Sequence, residues 1–209
     1  MAELQLTSAG LEFISEPSKD YRALIVEVLT KTRRKGIKNL IAFMEDVGYF
    51  TAPCSGGNHL CQEGGLAEHS WNVYETALKL NKALGAGFSK DTIAICALLH
   101  DLGKVGDHSK QMYIENVLKS GKVSATKPYK RNPGLSAVPH AVRSIKLAQR
   151  YIELSEGEEW AILCHDGLYN FMKHEMLGKE RPLFMVLHWA DMWSSRVVER
   201  GSDKEEAEE

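Results

Sequence analysis

Three short segments set imidazole and carboxylate groups among aliphatic neighbours: GGLAEHS with His69, ALLHDLGK with His100 and Asp101, and LHWAD with Asp191. At helical spacing Leu66, His69, Val73, Ala77 and Leu80 share one face, which turns His69 inward. Ile93, Ala97 and His100 share another, and Asp101 follows at the helix end, before the Leu-Gly-Lys break at 102 to 104. Further on, Leu183, Leu187, Ala190 and Ser194 form a buried stripe with Asp191 on its border. A carboxylate at such a border is costly unless it is paired or bound to a cation. Taken singly, an inward histidine is a hydrogen-bonded core residue and a helical aspartate is solvated. Taken together, two imidazoles and two carboxylates from three helices can supply four nitrogen and oxygen ligands to one divalent cation. Positions then remain for water and a phosphate oxygen.

The elements that must position these groups are helical. Residues 19 to 34 and 37 to 47 read as two helices broken at Gly36, and Gly48 closes the hairpin. Residues 51 to 65, with Pro53 and four glycines, form a loop. Helical patterns resume at 66 to 84, 90 to 101, 137 to 152, 157 to 166 and 182 to 199. Ser155 with Glu158 makes a capping box, and Pro139 and Pro182 suit first turns. Strand-like alternation is almost absent, so the expected fold is all-α, a single domain over residues 19 to 200 with irregular loops. The stretch from Gly103 to Pro139 is long and poorly periodic, as functional loops often are. Residues 1 to 18 read as a loosely docked, flexible arm and residues 201 to 209 as a disordered acidic tail.

A chain of 209 residues suits one domain with a single core, and 44% apolar with 26% charged residues is the composition of a globular protein. The net charge of −2 gives no global cause for tight, non-specific binding to nucleic acid or an anionic membrane. No stretch of eighteen apolar residues and no basic-then-apolar leader occurs, so neither export nor membrane spanning is expected. The four cysteines lack CxxC pairing, which fits a reducing cytoplasm. Cys54, His59 and Cys61 allow a structural zinc as an alternative, without the usual paired spacing or an evident fourth ligand.

The three segments, in this order and at these separations, resemble the signature of HD-domain metal-dependent phosphohydrolases over residues 36 to 199. The likeness is greatest to bacterial and phage HD hydrolases that share an aromatic-x-A-P-x-S motif, here Phe50 to Ser55, followed by His59 and by Gly64 to Ser70. The resemblance implies an HD-type helical bundle in which His69, His100, Asp101 and Asp191 bind one divalent ion of manganese, iron, cobalt, nickel or magnesium. It also implies that His140 and His165 hold a second ion in the binuclear branch, with Asp101 bridging. From the residues alone, His140 reads equally as a solvent-facing first-turn histidine and His165 as a packed core histidine. Many binuclear relatives carry a second histidine directly after the one matching His165, where this chain has Asp166.

Asp101 and Lys104 are the expected catalytic residues, Asp101 helping to take the proton from water and Lys104 lying near the substrate as in the family. Lys127, Tyr129, Lys130 and Arg131 combine cations with an aromatic able to stack on a base, and Arg143 and Lys146 extend that patch. His59 reads either as a general acid toward the leaving group or as a support for its glycine-rich loop. Trp160, Trp189 and Trp193 read as core or interface packing. The expected activity is hydrolysis of a phosphate ester of a small nucleotide, of nucleotidase or cyclic-nucleotide phosphodiesterase type, by metal-activated water. The alternatives are a metal-dependent nuclease on single-stranded DNA or RNA and a non-catalytic module that senses a nucleotide or holds a partner.

Overall fold

A computed structural model describes residues 3–7, 10–14, 19–107 and 109–199. Seven α-helices make the body: α1 (Tyr21–Lys31), α2 (Ile37–Asp46), α3 (Gly65–Ala83), α4 (Lys90–Leu99), α5 (His140–Ala148), α6 (Glu156–Cys164) and α7 (Pro182–Trp193). The fold is therefore mostly α, as the periodicity predicts. Two small antiparallel hairpins accompany it: β1 (Glu3–Thr7) with β2 (Gly10–Ile14), and β3 (Tyr113–Glu115) with β4 (Tyr129–Arg131). These are the small departures from the nearly strand-free fold that the sequence predicts. ELQLT and GLEFI do alternate at period two, while β3 and β4 are too short to carry a periodic signal. The rest of the expected arm, and the acidic tail, lie outside the described residues.

Most helices are shorter than their apolar patterns suggest, and local chemistry sets several of their bounds. Pro139 takes an extended conformation (ψ 138°) and delays α5 until His140. Gly36 separates α1 from α2 with φ 85°, and a Cβ there would strike the Tyr151 carbonyl, so this break needs glycine. Ser89 caps α4 by accepting from the Thr92 amide at 3.1 Å.

The core centres on α3 and α4. From Ile93 to Leu99 every residue of α4 is buried, and α3 contributes Leu66, Val73 and Ala77. The helix α3 packs against α4 on one side and α7 on another, α6 packs on α7, and α5 lies against the 3-10 turn Leu102–Val105 that follows α4. That turn decides where the chemistry goes. Asp101 leaves helical geometry (φ −104°, ψ 9°), and Gly103 donates its amide to Ser144 Oγ at 2.7 Å. A Cβ on Gly103 would collide with the His140 carbonyl, so its absence lets the start of α5 reach Asp101.

Among the tryptophans only Trp71 joins the core as a buried residue. Trp160 is half-buried against the core, while Trp189 and Trp193 are 40% and 56% exposed, so of the core or interface packing expected for these three only Trp160 joins the core.

One tie between the α1–α2 break and α6 makes a stability prediction. Arg34 donates to both oxygens of the buried Glu158 at 2.7 and 2.8 Å, and Glu158 also closes the capping box of α6 with Ser155. Burial opposes the charge of Glu158, but the Arg34 guanidinium and the Ser155 amide outweigh it and lower the carboxyl pKa. Glu158→Ala should destabilise the protein by about 2–4 kcal/mol at neutral pH, through the broken pair and the lost cap. Because the folded-state pKa is depressed, this contribution is present above the unfolded value of about 4.3 and fades as pH falls through the lower folded value. Urea unfolding of both proteins at pH 7 and in acid checks this: the gap between them narrows in acid.

Candidate metal centre

Groups from five helices and the turn after α4 meet at one end of the core. His69 comes from the first turns of α3, His100 caps α4, Asp101 begins the 3-10 turn and Asp191 lies on α7. The His69 Nε2 atom is 3.3 Å from His100 Nε2, 3.5 Å from Asp101 Oδ2 and 3.1 Å from Asp191 Oδ1, and His100 Nε2 is 3.4 Å from Asp101 Oδ2. On the other side of the same carboxylate, His140 Nε2 is 3.2 Å and His165 Nε2 3.6 Å from Asp101 Oδ1, with the two imidazole nitrogens 3.1 Å apart. Asp166 reaches this second group through both oxygens, 3.4 Å from His140 and 3.6 Å from His165.

These separations are those of ligands around an ion. Two donors each about 2.1 Å from one cation stand about 3.0 Å apart at a right angle and about 3.4 Å apart at a tetrahedral angle. Both groups fall close to that range. A second observation points the same way: Asp101 Oδ1 is fully buried and has no hydrogen-bond donor among the described residues. An orphaned carboxylate oxygen facing two imidazole nitrogens fits a cation between them. The mixed nitrogen and oxygen donor set suits a divalent first-row metal.

The imidazoles are pre-aimed by what holds their other nitrogens. His100 Nδ1 lies 2.8 Å from the Ala97 carbonyl and His165 Nδ1 2.7 Å from the Ile162 carbonyl, so each donates there and turns Nε2 to the cavity as a lone-pair donor. His69 Nδ1 finds a carboxylate instead, Glu199, at 2.8 Å. The same carboxylate accepts from His59 Nδ1 at 2.5 Å and from the Asn72 amide at 3.2 Å. Burial works against its charge, yet His59 and His69 lower its pKa to about 2.

Nothing in the sequence links Glu199 to Asp191, because a π turn over Ser194–Val198 follows α7 and shifts the register between them. Glu199→Gln should weaken divalent-metal affinity about 10–100-fold without unfolding the protein, since it loosens the tautomer and aim of His69. Calorimetric titration with manganese measures this, and an unchanged affinity would dismiss the role.

The electrostatics of the centre follow from Asp101, Asp166 and Asp191 standing around one group of imidazoles. Burial opposes the charge of Asp101, but Lys104, His100 and His140 hold its carboxyl well below the usual range. The Lys104 Nζ atom is 2.6 Å from Asp101 Oδ2, and that contact keeps it charged despite burial. His165 is pushed up to about 9: burial favours the neutral ring, and Asp166 and Asp101 outweigh it. His69 rises well above its ordinary value in the same way, through Cys54, Asp191 and Glu199.

A cavity of about 280 Å³ opens over these groups, with His59, His69, Asp101, Lys104, His165, Asp166, His188 and Asp191 on its inner wall and Asn58, Tyr169, Met192, Ser195 and Arg196 toward its mouth. Of the residues expected to meet substrate, it includes Lys104 and His59. Tyr129 faces a neighbouring cavity of about 240 Å³ that shares only Lys104 with the first. Lys130 and Arg131 lie on β4 and line neither cavity. Lys127 and Lys146 are exposed away from both. Arg143 is 93% buried and donates to the Ser136 carbonyl at 3.1 Å, so it is not free to grip a phosphate. Its place on the packed side of α5, facing the 3-10 turn, is what the helical spacing alone did not reveal.

The zinc alternative does not assemble: Cys61 sits against Ser55 Oγ at 3.2 Å, while Cys54 approaches His59 and His69. Cys54 lies 3.6 Å from Lys104 Nζ; burial would raise its thiol pKa, but His69 and Lys104 lower it. His188 lies one helical turn before Asp191, so helical spacing alone places it beside the site. Its Nδ1 lies 2.7 Å from the His165 carbonyl.

Among protein-family profiles, that of the HD domain matches residues 66–176, just over half of the chain. The match takes in His69, His100, Asp101, His140 and His165; Asp191 lies beyond it and is brought in by α7. No curated protein and no solved structure matches this chain.

Proposed function

The chain belongs to the HD domain family, whose superfamily is one of metal-dependent phosphohydrolases, and from that membership we propose that it hydrolyses the phosphate ester of a small nucleotide at a two-ion centre. The observation that carries this is the Asp101 carboxylate, one oxygen facing His69, His100 and the Asp191 side, the other facing His140 and His165. His69, His100, Asp101 and Asp191 would hold one ion; Asp101, His140, His165 and Asp166 would hold the other. A bound divalent ion supplies Lewis acidity, lowering the pKa of water and drawing charge from a phosphoryl oxygen.

The chain's own residues do the rest. Lys104 presents a buried positive charge on the cavity wall, where it orients an anionic phosphate and offsets charge that grows in the transition state. His59, raised to about 9 by Cys54 and Glu199 against the effect of burial, adds positive charge to the cavity wall while its ring nitrogens face those two groups. Asp101, Asp166 and Asp191 also line this wall, and bound ions would offset their charge where an anionic substrate enters.

A nuclease needs a basic track leading to the centre, and Lys127, Lys130 and Arg131 do not line the cavity. A non-catalytic module is disfavoured because none of the four primary ligands is replaced. Purified protein supplied with manganese, assayed against nucleoside monophosphates, cyclic nucleotides and short single-stranded DNA and RNA, tests the proposal beside an Asp101→Ala control. Phosphate release from mononucleotides is expected. Cleavage of the oligonucleotides alone, weakening steeply with salt, points to the nuclease, and no turnover with any of them points to the binding module.

A further inference from the structure

The mouth of the metal cavity carries a pair of residues that the chemistry of phosphate and metal leaves unused. Tyr169 ends the 3-10 turn Gly167–Tyr169, three residues beyond Asp166, and its side chain is among the most exposed apolar groups of the protein at 77%. The Arg196 guanidinium stands over one face of that ring, 5.7 Å from its centroid. Arg196 lies in the π turn after α7, five residues beyond Asp191, and makes no ion pair among the described residues. Both residues line the cavity, and each is fixed to a segment that also carries a carboxylate of the centre. Met192 and the Asn58 side chain, which makes no hydrogen bond among the described residues, share this rim.

We propose that Tyr169 and Arg196 form the seat for the base of the substrate, so that the cavity takes a nucleoside monophosphate with its phosphate at the histidine and aspartate end and its base stacked on the open face of Tyr169. The proposal rests on the hydrolase assignment above and makes its substrate class specific. An exposed aromatic ring backed by a cation on one face is a stacking platform on the other, and stacking of this kind tolerates any base. Asn58 can read a base edge with its carboxamide, and Met192 adds an adaptable apolar contact. The cavity volume, just under the range of about 300–1,000 Å³ typical of small-molecule sites, suits one nucleotide rather than a strand. The expected base platform at Tyr129 instead belongs to the neighbouring cavity, beyond Lys104.

The test compares nucleoside 5′-monophosphates with ribose 5-phosphate, which keeps the sugar and phosphate but lacks the base, using the manganese-loaded full chain. The best nucleotide should exceed ribose 5-phosphate in kcat/KM by about tenfold or more, and Tyr169→Ala or Arg196→Ala should erase that advantage through KM, with ribose 5-phosphate left within about twofold. Tyr169→Phe should keep most of it, because the ring stacks without its hydroxyl. Binding of the non-hydrolysable 5′-phosphonate analogue of the same nucleotide, by equilibrium dialysis, should weaken about tenfold in both alanine variants while circular dichroism stays unchanged. Equal losses on both substrates, no loss in either variant, or a loss confined to Tyr129→Ala would overturn the proposal. If the wild type turns over neither compound, the hydrolase assignment fails, and the phosphonate titration still decides whether a base sits on Tyr169.

Discussion

Asp101→Asn is expected to lower kcat/KM by at least about a thousandfold on any phosphate ester the protein hydrolyses, with helix content unchanged. Asparagine keeps the volume and one carbonyl oxygen, so the packing around residue 101 has no reason to change. What it loses is the negative charge that faces imidazole nitrogens on both sides, at 3.4–3.5 Å through Oδ2 and 3.2–3.6 Å through Oδ1. Each proposed ion loses a ligand at once, and a loss of about 4 kcal/mol of transition-state stabilisation corresponds to about three orders of magnitude in rate. Lys104, 2.6 Å from the same carboxylate, also loses the group that fixes its position. Steady-state kinetics with manganese in excess measure the effect. Retention of more than a tenth of the wild-type activity would mean that residue 101 does not join the two halves of the site.

Removing the ions should cost stability as well as activity. A cation bound at a thousand times its dissociation constant stabilises the folded state by about 4 kcal/mol, and for a domain of this size each kcal/mol moves the melting temperature by about 2–4 °C. Treatment with a chelator should therefore lower Tm by about 8–16 °C, and added manganese should restore it.

The difference should also depend on pH, with a definite sign. In the stripped protein His165 is raised to about 9 by Asp166 and Asp101, and His69 well above its ordinary value by Cys54, Asp191 and Glu199, each against the effect of burial. A histidine raised in this way stabilises the fold fully below its unfolded value of about 6.5, and that stabilisation disappears as pH rises through the folded value. The stripped protein should accordingly weaken between about pH 6.5 and 9. In the loaded protein the rings are neutral ligands and the ions supply the charge, so the gap in Tm widens over that interval. Scanning calorimetry at pH 6.5, 7.5 and 8.5 checks this. A gap that closes with rising pH would show that the histidines are not ligands.

The part of the site that could be seen in the amino-acid sequence is the part that violates a pattern. His69 among Leu66, Val73 and Ala77, and His100 after Ile93 and Ala97, are polar groups where a helix buries its apolar face. The structure buries them, at 1% and 0% exposure. Asp191 could be seen for the same reason, on the border of the α7 stripe. The HD domain match and the helical body agree with what that pattern implied.

Glu199 was hidden because on a straight α-helix it would stand about 12 Å along the axis from Asp191. The π turn at Ser194–Val198 sets its position, and no residue type announces such a turn. Tyr169 and Arg196 were hidden for another reason. Each sits in ordinary surface sequence, and only the folding of the 167–169 turn against the end of α7 brings them to one rim. Lys130 and Arg131 differ in the converse way: a short basic run with an aromatic neighbour reads as a binding patch in the sequence, and the β3–β4 hairpin holds it outside the cavity lining.

Crystals grown with manganese and measured at the metal's absorption edge address the two-sided role of Asp101 without any assumption about substrate. Two anomalous peaks are expected, one touching His69, His100, Asp191 and the Oδ2 atom of Asp101, the other touching His140, His165 and its Oδ1 atom. Manganese bound elsewhere, or no peak within coordinating distance of Asp101, would contradict the proposed centre and with it the hydrolase assignment.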